Sequence, residues 1–273
     1  MMNKRAIRAI IIKDLRQVLA NKMVWLPMIM VPLMINVLMP ALLTLTPTLT
    51  GTADADLDDL SAMLAIVPAA VEPGLAELSG LQQWVLLSSS YMFAPMFLIV
   101  PMMVASIIGA DSFVGEKERK TLEGLLYAPV SDGEIFMAKV LTGLIPTQVI
   151  SIVTFVLYAI VVNAVGYHIM GGIFFPRPNW LPLILWVAPA VSVAGMGAIV
   201  LISSRAKTFM QAQQAAGVLV LPLVGLMVSQ LAGLLFLGAS TLWLVGAVIW
   251  VISLWMIWVG AKTFRRGKLL ASI

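Results

Sequence analysis

The residues able to do bond-breaking or proton chemistry are few. The chain carries one histidine, His168, and no cysteine, which excludes disulfides, thiolate metal sites and a Cys–His couple. His168 stands alone in a polar-poor sequence and reads as a surface or packing residue rather than a base or metal ligand. No G-x-x-x-x-G-K-[ST] loop occurs anywhere in the sequence, so the chain has no such cradle for ATP. Met92, Met96, Met102 and Met103 read as packing or lipid contact rather than a metal path. Catalytic and metal residues are accordingly expected to be none.

What remains is one charge-dense island, Asp111 to Glu134. Glu116 and Lys120, and Arg119 and Glu123, are four residues apart and can pair along a helix surface. Leu122, Leu125 and Leu126 supply an apolar face at i, i+3, i+4. Ala128-Pro129 ends that helix. Ser131-Asp132-Gly133-Glu134 is a capping-box pattern before the apolar run that starts the next one. On periodicity alone two readings stand: an amphipathic helix resting on lipid headgroups, or a projection gripped by a soluble partner.

The elements that position this island follow from charge scarcity. Of 273 residues, 61% are hydrophobic and 11% charged, where a soluble domain has about 45–50% and about 25%. Such a chain cannot cover a water-facing surface, so its solvent is lipid. Charge-free intervals run over residues 23–53, 78–110, 140–176, 178–204 and 208–261. Each exceeds the roughly 20 residues that a helix needs to cross hydrocarbon. The last would span about 80 Å as one helix, and Gly238-Ala239-Ser240 turns it near its middle. Six transmembrane helices are therefore expected, at 23–46, 84–110, 135–164, 180–203, 213–237 and 241–261. An acidic external loop is expected at 47–83 and a cytoplasmic segment at 112–128.

Basic residues orient the bundle. Lys4, Arg5, Arg8, Lys13, Arg16 and Lys22 precede the first span. Lys117, Arg119, Lys120 and Lys139 lie between the second and third, Arg205 and Lys207 between the fourth and fifth, and Lys262, Arg265, Arg266 and Lys268 after the sixth. Only Arg177 falls on the other side. Both termini are thus expected in the cytoplasm, and the basic pI reports topology, not a nucleic-acid partner. Trp25, Trp84, Trp180, Trp243 and Trp258 are expected as interfacial anchors. Pro27, Pro32, Pro40, Pro95 and Pro101 free backbone carbonyls and serve either as hinges or as packing features. A signal peptide is not expected, the first apolar stretch being too long for one.

Residues 4–20 form an amphipathic helix, with Ile7, Ile10, Ile11, Ile12, Leu15, Val18 and Leu19 on one side and Arg8 and Asp14 interrupting it. It is expected along the inner membrane surface. The charge-free intervals hold no Asp, Glu, Lys or Arg, and His168 is expected on the external side, which removes aspartyl and zinc intramembrane proteases and a proton relay. Polar pathway candidates within the spans are Asn36, Gln148, Ser151, Asn163, Ser229 and Gln230. Each could equally bond a neighbouring helix. Ala190, Ala194 and Ala198 would permit a close helix contact.

The island also resembles a known family, the type-2 ABC exporter permeases, with their Nat-type and drug- or lipid-export members. The resemblance rests on Gly115-Glu116-Lys117-Glu118-Arg119-Lys120-Thr121-Leu122-Glu123-Gly124-Leu125-Leu126, Ala128-Pro129-Val130-Ser131, Glu134-Ile135 and Lys139. In that family an EKERxTxExLL, xPVS, xEI pattern followed by lysine sits between the second and third of six helices. Lys13-Asp14-Leu15 and Gln211, Gln213 and Gln214 agree more loosely.

The resemblance implies an all-α integral membrane fold with six transmembrane helices, residues 4–20 as an elbow helix and the island as a coupling helix. It implies docking of a separate ATPase subunit, two per complex, through Gly115, Glu116, Glu118, Arg119, Thr121, Leu122, Glu123, Leu125 and Leu126. ATP and Mg would be held by that partner, with no cofactor in this chain. A second permease copy or paralogue would complete the pathway in a bacterial-type inner membrane. The cargo reading is amphipathic or lipid-like. Nat-type sodium extrusion and a non-transporting scaffold that docks an ATPase stand as alternatives.

Overall fold

The computed structural model describes residues 4–50, 74–119, 130–231 and 238–263, which are helical with short connections and contain no strand. A first helix, α1 (Lys4–Ala20), stops at Asn21, whose side chain accepts from the Met23 backbone N–H and caps the next one. Six long apolar helices follow: α2 (Lys22–Thr46), α3 (Gly80–Glu118), α4 (Asp132–Met170), α5 (Trp180–Ser203), α6 (Phe209–Gln230) and α7 (Ala239–Lys262). All six are long and apolar enough to cross a bilayer. Five of the spans extend beyond the expected bounds at one or both ends.

The six are not equivalent. The most apolar stretches of α3 and α5 are 78% buried, those of α2 and α4 28%, and those of α6 and α7 17%. Two central helices are thus wrapped by four whose outer faces, Leu26, Ile29, Val153, Ile160, Leu244 and Val251 among them, stay exposed. In a lipid solvent such faces cost nothing, so burial is set by fit rather than by hydrophobicity. The fit is visible at Gly195, where a Cβ would come within 2.8 Å of the Met102 carbonyl oxygen. Only glycine lets α5 lie so close against α3.

The Ser131–Glu134 capping box forms as expected, with Glu134 N–H donating to Ser131 Oγ (3.3 Å) and Ser131 N–H to Glu134 Oε2 (2.8 Å). It sets the start of α4. α1 departs from its expected orientation: Ile7, Ile10, Asp14 and Val18 are buried, whereas Ile12 and Leu19 are exposed. The buried stripe follows i, i+3, i+7, i+11 and packs Ile7 and Ile10 on Ile135 and Ala138 of α4. Asp14 therefore does not interrupt the apolar face but sits within the packed one.

Candidate functional site

The charged end of α3 is the most unusual feature. Past Ala110 the helix does not end but runs through a π turn, Asp111–Gly115, to Glu118. Asp111, Ser112 and Glu116 are buried, Glu116 completely. Carboxylates enter a packed interior only when paired and hydrogen-bonded, and the partners come from two other helices. Lys139 of α4, itself fully buried, places Nζ 2.6 Å from Glu116 Oε2 and 3.8 Å from Asp14 Oδ2. It also donates to the Ser112 carbonyl and, at 3.3 Å, to Ser112 Oγ.

Lys13 of α1 bonds the other Glu116 oxygen and lies 3.1 Å from Asp14 Oδ1. Ser112 Oγ donates to Asp14 Oδ2 (2.9 Å), and Gln17 Nε2 to Asp111 Oδ2 (3.1 Å). Arg119 closes the cluster, both terminal nitrogens 3.0 Å from Asp111 Oδ1. Its fork passes over Gly115, where a Cβ would stand 2.9 Å from Arg119 Nη2 and 3.1 Å from Asp111 Oδ1. Three cations, Lys13, Arg119 and Lys139, balance three anions, Asp14, Asp111 and Glu116.

Burial lowers the Lys13 pKa, but the hydrogen bond and Coulomb attraction of Glu116, with Asp14 beside it, more than reverse this, and its net value lies above the usual 10.5. Neutrality and full pairing let the helix carry its charges inward.

This changes the reading of the island. Gly115 and Glu116, expected to face a partner, are turned inside the chain, and Glu116 pairs with Lys139 and Lys13. Arg119 binds back to Asp111. Glu118 is exposed, and its Oε2 accepts from the Phe209 backbone N–H at 2.8 Å. A side chain of α3 thereby caps the first turn of α6, where free N–H groups favour an anion. Thr121, Leu122, Glu123, Leu125 and Leu126 lie outside the described residues. Of the cluster's other members, Ser112 carried no sign in the sequence, Asp111 only marked the start of the charged island, and Asp14 stood out only as an interruption of the first helix and in the loose Lys13-Asp14-Leu15 match.

Among the described residues no two of the six pathway candidates share a hydrogen bond. Gln148 Nε2 donates to Ser192 Oγ (2.9 Å), joining α4 to α5. Ser151 Oγ bonds Thr147 O (2.8 Å) in its own helix. Asn163 secures the connection after α4, donating to Phe175 O (2.8 Å) and accepting from the N–H groups of Phe174 (3.0 Å) and Phe175 (3.1 Å). Asn36 is buried with Nδ2 unpartnered, and Ser229 is half-buried on α6.

Gln230 belongs to a second junction, at the opposite end of the bundle. A π turn at Ser88–Met92 and Pro95, which has no N–H for the Tyr91 carbonyl, leave carbonyls of α3 to be satisfied elsewhere. Ser89 O accepts from Tyr158 Oη of α4 (2.6 Å), and Ser90 O from Asn179 Nδ2 and Trp180 Nε1 (2.9 Å each). Tyr91 O accepts from Gln230 Nε2 of α6 (2.7 Å). Trp180, expected at the interface, is fully buried, stacked on Tyr158 with centroids 4.9 Å apart and edge-on to Phe175 at 4.8 Å. Its indole N–H has found its partner inside.

Six membrane-length helices and a buried ionic junction at the root of one connection define a multi-pass membrane protein. The sequence profile of the ABC-2 family transporter proteins matches residues 8–254, and the chain belongs to that family. No curated protein and no solved structure matches it significantly. Family membership makes it a membrane permease of ABC transporters, a class that works with an ABC ATPase and is typically without an ATPase site of its own.

Proposed function

We propose that the chain is the permease of an ATP-driven exporter, taking its power stroke through the segment that follows Glu118. The observation that carries this reading is the junction at the segment's root. Asp111, Ser112 and Glu116 tie α3 to α1 and α4, and Glu118 ties it to α6. A force on this root reaches four helices at once. A separate ATPase holding ATP and Mg would grip the exposed Glu118 and the segment's Thr121, Leu122, Glu123, Leu125 and Leu126. Gly115 and Glu116 would set the root's position rather than touch the partner. Two ATPases and a second permease copy or paralogue would complete the complex in the inner membrane, both termini cytoplasmic. The uncharged spans suit an amphipathic cargo.

Co-purification with a candidate ATPase tests the reading. Leu125→Asp with Leu126→Asp is expected to abolish association while the permease still elutes as a folded species. Retention of the ATPase, with cargo-stimulated ATP turnover intact, would exclude docking at this segment.

A further inference from the structure

The seam between α5 and α6 carries two openings that coupling does not use. One, of about 510 Å³, lies within the membrane-spanning stretch among Val191 and Ala194 of α5, Leu219 and Leu223 of α6, and Val245 and Ile249 of α7. All its lining side chains are apolar. Leu244 and Val248, in its lining and 71% and 60% exposed, face the surrounding hydrocarbon. The other, of about 460 Å³, lies at the charged end between Leu201, Ile202 and Arg205 on the α5 side and Gln211 and Ala215 on α6.

One face of α6 lines both. Gln211, Ala215, Leu219, Leu223 and Leu226 recur every three or four residues, a stripe about 22 Å long at about 1.5 Å per residue. The helix of α6 is interrupted between Gly217 and Val220. The head of the stripe is basic. Arg205 is exposed and makes no ion pair among the described residues, and exposed Lys207 lies two residues on. No carboxylate lines either opening.

An apolar furrow open to hydrocarbon is filled by what surrounds it, an acyl chain. A guanidinium without a carboxylate, at the level where headgroups lie, selects phosphate, which it can grip with two parallel N–H bonds. We infer that this seam is a binding site for an anionic phospholipid of the adjacent leaflet, its phosphate on Arg205 and one acyl chain in the α5–α6–α7 furrow. A zwitterionic lipid offers the same tail and phosphate but carries its own compensating cation, so the net-anionic headgroup is preferred.

The purified permease is reconstituted in nanodiscs of equal phosphatidylglycerol and phosphatidylcholine, extracted into mild detergent, and the retained lipids counted by native mass spectrometry. Wild type is expected to retain phosphatidylglycerol preferentially. Arg205→Gln, at an exposed position that leaves folding intact, should reduce that preference about fivefold. Ala194→Phe, which narrows the furrow, should lower retention of both lipids. Lys262→Gln, at the same end but against Trp258 rather than on the seam, should change nothing. Equal retention of the two lipids by wild type, an undiminished preference in Arg205→Gln, or an equal loss in Lys262→Gln would each overturn the site. No ATPase enters the measurement, so its outcome is independent of the transport reading.

Discussion

The two ends of α3 solve the same problem with opposite chemistry. At each, a π turn leaves polar groups inside the bundle, and at each, side chains from other helices help to satisfy them, joined at the charged end by Arg119, which follows α3 directly. Around Ser89, Ser90 and Tyr91 the partners are a phenol, an indole and two amides, all neutral, each held to one backbone carbonyl. Around Asp111, Ser112 and Glu116 they are two ammonium groups and a guanidinium, several of them bonded to more than one acceptor. Neutral bonds are short-ranged and directional, so the first junction fixes one arrangement of α3, α4, α5 and α6. Charges act over longer distances and tolerate exchange of partners. The second junction can therefore shift under load without leaving a carboxylate bare, which suits the end where a partner would pull.

The largest expected effect separates these two kinds of junction. Removing one member of a buried ion pair strands the other, at a cost of about 3–5 kcal/mol. Glu116→Gln and Lys139→Met should each lower unfolding stability in detergent by that order, measured by denaturant titration. Glu116→Leu with Lys139→Met should recover much of the loss, because no charge is left unpaired. Single variants as stable as wild type would show that water already reaches the cluster.

The six spans were legible because they depend on a local property, the length of charge-free sequence, and the capping box at Ser131 because it closes within four residues. Asp111 and Glu116 were not, for a physical reason. A run of charges reads as a solvated surface unless its counter-charges are known, and those of Glu116 lie 103 residues earlier on Lys13 and 23 residues later on Lys139. Trp180 misled in the same way: indoles favour interfaces when their N–H has no internal acceptor, and the acceptor at Ser90 exists only because α3 is wound as a π turn there. Of the docking candidates, Glu116 looked like its exposed neighbour Glu118, and only the fold tells them apart.

At the neutral junction the loss should be smaller. Tyr158→Phe keeps the ring in its aromatic cluster but leaves Ser89 O without its acceptor bond, costing about 1–3 kcal/mol as for other orphaned buried carbonyls. Gln148→Leu, which breaks one side chain pair between α4 and α5, should cost about 0.6 kcal/mol, the average for polar contacts between membrane helices. Thermal unfolding of the purified variants measures both. If Tyr158→Phe proved no worse than Gln148→Leu, the π-turn carbonyls would have an alternative partner and the contrast between the two ends would weaken.

The smallest effect tests whether Lys13 is a working member of the charged junction. Its side chain is 46% exposed, so solvent screens it, and Lys13→Met should cost only about 0.2–1 kcal/mol near neutral pH. The sign of its pH dependence is fixed by the raised pKa. A lysine whose pKa is higher folded than unfolded contributes fully below the unfolded value, near 10.5, and loses that contribution as pH rises through the folded one. Wild type and Lys13→Met should therefore differ by a constant amount from pH 7 to about 9.5 and converge above it. A gap that instead persisted above that range would place the contribution of Lys13 in the packing of its aliphatic stem rather than in its charge on Glu116.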